Sequence, residues 1–139
     1  MQYVCDAKKD RTWFRIETSA EAEQETRLMR HSVEKFFCRE QERARKSYVP
    51  GPGLERDIGL KTHLFRTSPL FLTLRADDGE PLATAMLPAG GREDKDFQII
   101  IVGPENADPY VKHADAISAL AKHYGLSLPR VRCYPYARG

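Results

Sequence analysis

Four cations near the middle of the chain have the spacing of a surface that could bind an anionic partner. They are Lys35, Arg39, Arg43 and Lys46. On a helix with about 3.6 residues per turn, these positions form one exposed ridge, roughly 110° from the centre of the apolar face. Such a ridge can contact a phosphate backbone or an acidic protein surface. The alternative is that the cations complement the C-terminal end of the helix dipole, with Glu42 and Lys46 forming an ion pair one turn apart.

Arginines alternate with aromatic residues near the C-terminus, a composition that can stack on bases and pair with phosphates. The residues concerned are Arg130, Arg132, Tyr134 and Tyr136. The same pattern is typical of an edge strand whose arginines face water while Val131 and Cys133 face the core. The sequence leaves both interpretations open. Together with the ridge, these residues are the candidate contact site for a protein partner or a nucleic acid.

The histidines and cysteines have no spacing that predicts a metal site. His113 and His123 fall on one predicted helix but lie ten residues apart, which is about 80° and 15 Å, too far to ligate one ion. Cys5, Cys38 and Cys133 include no close pair, which favours buried thiols in a reducing cytoplasm over disulfides. No catalytic residue is predicted, although a fold could still bring a cysteine or serine beside a histidine.

Two glycine-containing loops lack the features of phosphate-binding loops. Residues 102–108 lie between a predicted strand and a predicted helix, but Pro104 lacks an amide donor, and Glu105 and Asp108 would repel a phosphate. Residues 90–92, Gly-Gly-Arg, lie between two predicted strands and are interpreted as a flexible connection. The sequence therefore predicts neither a cofactor nor a bound metal.

A long amphipathic helix must position the cationic ridge. Thr18 and Glu21 have the spacing of a capping box, and neither glycine nor proline follows until Pro50, so the sequence predicts one helix over residues 19–47. At 1.5 Å per residue its length would be about 44 Å, so its C-terminal end would extend past the core. The predicted apolar face consists of Ala22, Thr26, Met29, Val33, Phe36, Phe37 and Ala44.

Two β-hairpins are expected, one on each side of that helix. Residues 2–6 and 12–17 are short runs rich in aromatic and β-branched residues, separated by a polar turn. Residues 69–76 and 81–87 flank an Asp-Gly step, which supplies the positive φ angles of a tight turn. Both pairs of runs therefore predict antiparallel strands.

The segment between the long helix and the second hairpin is ambiguous. Residues 49–53, Val-Pro-Gly-Pro-Gly, end the helix and are interpreted as an internal loop. Residues 57–66 then carry apolar side chains at alternate positions, which favours a half-buried strand. A short helix is the alternative for this segment.

The last third of the chain predicts a strand, a helix and a strand. Residues 97–102 are a continuous apolar run, typical of a central strand covered on both faces. Asn106 or Asp108 can cap a helix that ends before Gly125. Residues 128–134 would form a final strand, parallel to the strand at residues 97–102. The sheet-facing residues of this helix are expected to be Ala114, Ile117, Leu120, Ala121 and Tyr124.

Length and charge limit the class of protein. The chain has 139 residues and a formal net charge of +2, which fits one domain and excludes a strongly basic or acidic protein. Its 41% hydrophobic residues suffice for a folded core, and no apolar run is long enough for a membrane span. We expect a single α+β domain over residues 1–139, in the order ββαβββ(β)αβ. A mixed, mostly antiparallel sheet of about five to seven strands would pack against the long helix and the C-terminal helix.

The expected function is that of a non-enzymatic, cytoplasmic interaction module, either a protein-binding adaptor or a subunit of a complex. This expectation follows from the lack of catalytic and metal motifs and from the helix end that extends past the core. Nucleic-acid binding through the ridge and the C-terminal residues is the first alternative, and an enzyme whose cleft assembles from distant residues is the second. The sequence leaves open whether the chain forms a homo-oligomer. No membrane contact is expected.

Overall fold

The computed structural model describes residues 1–49 and 56–134, with only the backbone of residues 56–58. The strands are β1 (Gln2–Ala7), β2 (Arg11–Arg15), β3 (Leu70–Arg75), β4 (Pro81–Leu87) and β5 (Ile100–Val102). The helices are α1 (Ser19–Met29), α2 (Val33–Lys46), α3 (Arg56–Thr67), α4 (Tyr110–Tyr124) and the single turn α5 (Arg130–Cys133). Short 3₁₀ turns at Ala89–Gly91 and Pro104–Asn106 follow β4 and β5. The expected α+β class is confirmed.

The described strands form one antiparallel sheet in the order β1-β2-β3-β4-β5. Both predicted hairpins are present, since β1 pairs with β2 and β3 pairs with β4. Gly79, in the turn between β3 and β4, has a φ of 89°, a left-handed conformation that glycine adopts without strain. The sheet is therefore antiparallel throughout, and the mixed sheet expected from the sequence is wrong.

Alternation along the strands gives this sheet two apolar faces. On one face, Leu72 and Leu74 of β3 are completely buried in a cluster with Trp13 and residues of α4. The indole nitrogen of Trp13 donates a hydrogen bond of 2.8 Å to the carbonyl oxygen of Ala116 in α4. The cluster on the opposite face, beneath α1 and α2, contains Ile16, Ala22, Val33, Phe37 and Phe71.

The single helix predicted over residues 19–47 is wrong, because the chain turns between α1 and α2. Arg30 ends α1 in the left-handed conformation, with φ 56° and ψ 52°, and its amide donates to the carbonyl of Thr26. Ser32 then precedes the first turn of α2. Neither glycine nor proline marks this turn, so the local sequence gives no stop signal. Buried contacts of His31, described below, stabilise it instead.

The apolar face predicted for the long helix is largely confirmed on the two shorter helices. Thr18 and Glu21 form the predicted capping box at the start of α1. Thr26 and Phe36 are half-buried. The other predicted core residues are buried, namely Ala22, Met29, Val33, Phe37 and Ala44. The last turn of α2 is exposed apart from Ala44, as expected for its C-terminal end.

The strand predicted over residues 57–66 is wrong, because this segment belongs to helix α3. Leu60 and Leu64, four residues apart, are both half-buried, which a helix achieves by placing them on the same side. The apolar residues that favoured a strand therefore lie along a helix, which was the alternative for this segment. The loop predicted at residues 49–53 lies outside the described residues, apart from Val49.

The apolar run at residues 97–102 is not a central strand. Only its last three residues belong to β5, which lies at an edge of the sheet. Ile99 and Ile101 are completely buried in the cluster beneath α4, whereas Ile100 is half-buried on the opposite face. The run is apolar because both faces of this edge are covered or partly covered.

The final strand predicted over residues 128–134 is also wrong. Pro129 precedes the helical turn α5, a position where its missing amide hydrogen costs no hydrogen bond. The segment therefore does not join the sheet. As a result, the parallel crossover expected between the last two strands is absent from the part of the chain that the structure describes.

Helix α4 is confirmed with its predicted stop signal, whereas its N-cap is Pro109 rather than the predicted Asn106 or Asp108. The carboxylate of Asp108 accepts a hydrogen bond of 2.9 Å from the amide of Tyr110, and Gly125 ends the helix with a φ of 70°. Ala114 is an exception to the predicted apolar side, since it is exposed beside His113, whose backbone departs from helical geometry. The other predicted sheet-facing residues are buried or half-buried, namely Ile117, Leu120, Ala121 and Tyr124.

Candidate functional site

A cavity of about 290 Å³ opens between the start of α2 and the sheet face formed by β4 and β5. Its polar groups lie beside the turn between α1 and α2. The polar residues lining it are His31, Ser32, Thr84 and Asn106. The apolar residues lining it are Val33, Phe36, Phe71, Ala85, Met86, Ile100 and Val102. The cavity is therefore mainly apolar, and its polar lining residues come from the turn between α1 and α2, from β4 and from the 3₁₀ turn after β5.

The strand register explains the floor of this cavity. Met86 pairs with Ile100 and Thr84 pairs with Val102, so the side chains of each pair emerge on the same face of the sheet. β5 has only three residues and lies at the sheet edge, which leaves the floor open on that side. The cavity therefore lies on the sheet face opposite α4.

A chain of buried polar groups runs from the core to the polar side of the cavity. Glu25 of α1 is completely buried, and its carboxylate accepts hydrogen bonds of 2.6 Å from both Arg75 Nη2 and Thr84 Oγ1. Thr84 Oγ1 in turn lies 2.8 Å from His31 Nε2. The amide of Val33 donates to His31 Nδ1 over 3.3 Å. This chain, called the Glu25 cluster below, links α1, β3, β4 and the start of α2.

The partners in the Glu25 cluster define where its protons lie. Because the Val33 amide can only donate, His31 Nδ1 accepts and Nε2 carries the proton. Nε2 then donates to Thr84 Oγ1, whose own hydrogen goes to Glu25. Burial lowers the pKa of His31, with the charge of Glu25 opposing it, so the imidazole is neutral at pH 7. A histidine that donates to a hydroxyl does not act as its base, so this arrangement is structural.

A second polar cluster links the β1–β2 turn to α4. Arg11 is 5% exposed and donates to the carbonyl of Lys8 over 2.8 Å, to His113 Nδ1 over 2.9 Å and to the Asp115 carboxylate over 2.6 Å. Burial, followed by the charge of Arg11, lowers the pKa of His113. The hydrogen bond from Arg11 lowers the pKa of Asp115. These contacts, called the Arg11 cluster below, hold α4 against the first hairpin.

A third histidine contact lies at the end of α2. His63 Nε2 lies 2.9 Å from the carbonyl oxygen of Ala44 and 2.8 Å from Ser47 Oγ. Ser47 Oγ donates to the same carbonyl over 2.8 Å. Because a carbonyl oxygen only accepts, Nε2 carries a proton toward it and is not a base for the serine. The contact therefore caps a helix end rather than forming a catalytic dyad.

The residues of the Glu25 cluster are not among the predicted site residues. Glu25, Thr84 and His31 match no functional motif. One signal was available, however. Glu25 lies three residues after Ala22 and four before Met29, so it falls within the apolar face of its own helix. A carboxylate at such a position predicts a buried cationic partner.

The predicted ridge lies on the exposed side of α2. Its four residues are all exposed, namely Lys35, Arg39, Arg43 and Lys46. The guanidinium of Arg39 lies 4.8 Å from the ring centroid of Phe36, which lines the cavity. Arg39 and Arg43 each approach Glu40 to 3.6 Å, so Glu40, rather than the predicted Glu42, pairs with cations of the ridge. The ridge is therefore continuous with the cavity through Arg39.

The two C-terminal arginines are paired with carboxylates. Arg130 Nε donates to Asp108 over 2.6 Å, and Arg132 forms a bidentate ion pair with Glu93. The hydrogen bond from Arg132 holds the pKa of Glu93 below its usual range. Both cations therefore stabilise the position of α5, and much of their charge is compensated within the fold.

The C-terminal tyrosines differ from the exposed stacking residues that the sequence allowed. Tyr134 is 7% exposed, and its hydroxyl donates over 3.2 Å to the carbonyl of Asn106, which lines the cavity. The guanidinium of Arg130 lies 5.2 Å from the ring centroid of Tyr134. Tyr136 lies outside the described residues. The C-terminal segment thus reaches the cavity through Asn106, whereas the ridge reaches it through α2.

The three cysteines differ in their burial. Cys133 is buried, Cys5 is half-buried, and Cys38 is exposed, contrary to the expectation of buried thiols. Burial raises the pKa of the Cys5 and Cys133 thiols. Within residues 1–49 and 56–134, no group of three or more potential ligands is arranged to hold a metal ion. No helix in these ranges has the length and apolar character needed to cross a membrane.

No family model, curated protein or solved structure matches the chain. The functional conclusion therefore follows from the cavity and the charged side chains around it.

Proposed function

We propose that the chain is a small, non-enzymatic interaction module, organised as one α+β domain, that binds a protein partner in the cytoplasm. The binding surface consists of the cavity lining together with Lys35, Arg39 and Arg43, and is called the α2 surface. One observation carries the proposal. An apolar cavity opens directly beside an exposed arginine that stacks on one of its lining residues, Phe36.

The residue types on the α2 surface support protein binding. Binding energy at protein interfaces concentrates in a few aromatic and arginine residues that surround a pocket. Arg39 and Phe36 form such a pair, and Met86 and Ile100 on the floor are half-buried, so a partner side chain could cover them. An apolar side chain of a partner would fill the cavity, while the cations of α2 would meet carboxylates at the rim.

The surroundings of the other candidates support this proposal over its alternatives. The C-terminal part of the alternative nucleic-acid interface would need exposed rings and uncompensated cations, but Tyr134 is buried, and Arg130 and Arg132 are paired. An enzyme built on a hydroxyl nucleophile and a histidine would need a ring nitrogen that can accept the hydroxyl proton. His31 and His63 instead donate to the hydroxyl or carbonyl oxygens that they contact.

Site-specific photocrosslinking in cells would test the proposal. A photoreactive phenylalanine analogue replaces Lys35 on the α2 surface in one variant and Lys122 on α4 in a control, since both positions are exposed. We expect a discrete protein product from position 35 and none of the same mass from position 122. The double variant Arg39→Glu and Arg43→Glu should abolish that product, and the identified partner should bind the purified chain.

Three outcomes would decide between the candidate functions. Identical products from both positions, or a product that survives the double charge reversal, would contradict the proposed surface. A product that nuclease treatment removes would support nucleic-acid binding instead. A product with twice the mass of the chain would identify the partner as a second copy.

A further inference from the structure

Two of the four polar side chains that line the cavity, those of His31 and Thr84, already have partners, so a ligand body packed against them should be apolar. His31 uses one ring nitrogen for Thr84 and the other for the Val33 amide. Thr84 uses its hydrogen for Glu25. A ligand hydroxyl or amide placed against this wall would lose its hydrogen bonds to water and find none in return. An alkyl or aryl group would instead contact the apolar floor.

The size of the cavity fits one small molecule. Its volume is about 290 Å³, the lower end of the range for ligand pockets. A water-sized group occupies about 30 Å³, so the cavity holds about ten non-hydrogen atoms. The space is too small for a folded segment, and it matches a short alkyl chain or a single ring with substituents.

At the Phe36 edge of the cavity, two arginines of α2 share one carboxylate. Glu34 and Lys35 are adjacent residues of opposite charge, and Glu25, which contacts Thr84, is completely buried and paired with Arg75. Arg30 and Glu105 neutralise each other at 3.1 Å, whereas Glu40 is shared between Arg39 and Arg43 at 3.6 Å. The surplus positive charge therefore lies on the α2 side, where Arg39 covers Phe36 at the edge of the cavity.

We infer that the cavity binds a small apolar carboxylate, with its alkyl or aryl body between α2 and the β4–β5 floor and its carboxylate at the rim beside Arg39. This binding goes beyond the proposed partner function and does not depend on it. The two would compete for the same apolar space, so the carboxylate would regulate access of the partner to the α2 surface.

A titration of the full chain with three eight-carbon probes tests the inference. The probes are octanoate, 1-octanol and octylammonium, which share an apolar body and differ in charge. Methyl NMR signals of Met86, Ile100 and Val102 report on the cavity floor, and those of Val111 on α4 serve as the control. We expect saturable shifts confined to the floor, with octanoate binding tightest and octylammonium weakest.

Two substitutions separate the apolar contribution from the charge. Ile100→Trp fills the cavity and should weaken both octanoate and octanol by about tenfold or more, the scale of a lost apolar contact. Arg39→Gln should weaken octanoate about two- to fivefold, as expected for an exposed ion pair, and leave octanol unchanged. Arg45→Gln is the matched control on the same helix, because Arg45 lines a different depression beside Glu17 and Cys38.

The titration of the unmodified chain keeps the inference testable even if Ile100→Trp does not fold. Absent or non-saturable shifts with octanoate, or shifts as large at Val111 as on the floor, would overturn it. Equal affinities for octanoate and octylammonium would overturn the assignment of a carboxylate, as would equal effects of Arg39→Gln and Arg45→Gln. Because no partner is present in this experiment, its failure would leave the proposed function standing.

Discussion

The Glu25 and Arg11 clusters contain the same kind of ion pair in two different environments. In each, a carboxylate lies 2.6 Å from an arginine Nη2. The side chains of Glu25 and Arg75 are 0% and 11% exposed, whereas those of Arg11 and Asp115 are 5% and 36% exposed. Water can replace a lost partner for Asp115 but not for Glu25. The two ion pairs have equal distances, but the loss of one partner should cost more free energy of unfolding in the Glu25 cluster, because that carboxylate is buried.

The largest expected effect is that of Glu25→Gln. Because position 25 is completely buried, water cannot take the place of the lost carboxylate, and Arg75 and the Thr84 hydroxyl both lose their ionic acceptor, which costs about 3–5 kcal/mol of unfolding free energy. Urea unfolding followed by circular dichroism measures this loss. Glu23→Gln, an exposed change on the same helix, is the control and should be nearly neutral. Replacing Glu25 and Arg75 together by leucines should restore part of the loss, and a double variant less stable than Glu25→Gln would contradict this account.

Thr84→Val should have the next largest effect. The change keeps the shape of the side chain but leaves the Nε2 proton of His31 and one oxygen of Glu25 without their partner, at a cost of about 1–3 kcal/mol. Thr12→Val, which removes a 3.2 Å contact with the exposed Asp6, is the control and should cost less. The same urea series measures both. Equal losses would show that the Glu25 cluster is no more sensitive than a surface contact.

Acidification should weaken the fold through His31. Its pKa is lowered in the folded state by burial, against an ordinary value near 6.5 in the unfolded chain. Between these two values the unfolded state binds more protons, so stability is present above about pH 6.5 and declines as the pH falls through this window. His113 adds to the same trend. Urea unfolding measured over this range should show the decline.

Substitution of single histidines assigns that pH dependence. His31→Gln should flatten the plot of unfolding free energy against pH, leaving the part that His113 contributes. His123→Gln, at an exposed position, is the matched control for the removal of an imidazole. A slope that survives His31→Gln in full would place the sensitive group outside the Glu25 cluster.

The smallest expected effect is that of Asp115→Asn in the Arg11 cluster. Position 115 is open to solvent, so water can reach the Arg11 Nη2 group that loses its carboxylate, and the loss of stability should be well below that of Glu25→Gln. Added salt should reduce it further, because the ion pair is screened. Unfolding at low and high ionic strength measures both effects. A loss as large as that of Glu25→Gln would refute the comparison between the clusters.

Local signals in the sequence predicted those elements whose causes are local. Three such elements are confirmed: the Asp-Gly turn at Gly79, the capping box at Thr18 and the helix stop at Gly125. Each depends only on neighbouring residues. The turn at Arg30 was missed because no glycine marks it. The apolar residues of 57–66 fit both the two-residue period of a strand and the 3.6-residue period of a helix. The strand was predicted, whereas the segment is a helix.

The candidate site was less accessible to sequence reasoning, because its contacts join distant parts of the chain. The partners in the Glu25 cluster are separated by 50, 59 and 53 residues. Only the position of Glu25 within an apolar face pointed to it. The ridge on α2 was found from its spacing, but its connection to a cavity depends on how β5 lies beneath Phe36, which no local pattern encodes.

The single tryptophan makes the two faces of the sheet optically distinct. Trp13 is completely buried beneath α4 and bonded to the carbonyl of Ala116, so its emission reports the docking of that helix. The cavity lies on the opposite face and contains no indole. Intrinsic fluorescence will therefore change when α4 separates from the sheet, whereas binding in the cavity should leave the emission nearly unchanged. A tryptophan introduced at Ile100 would add a second reporter, one for each side of the molecule.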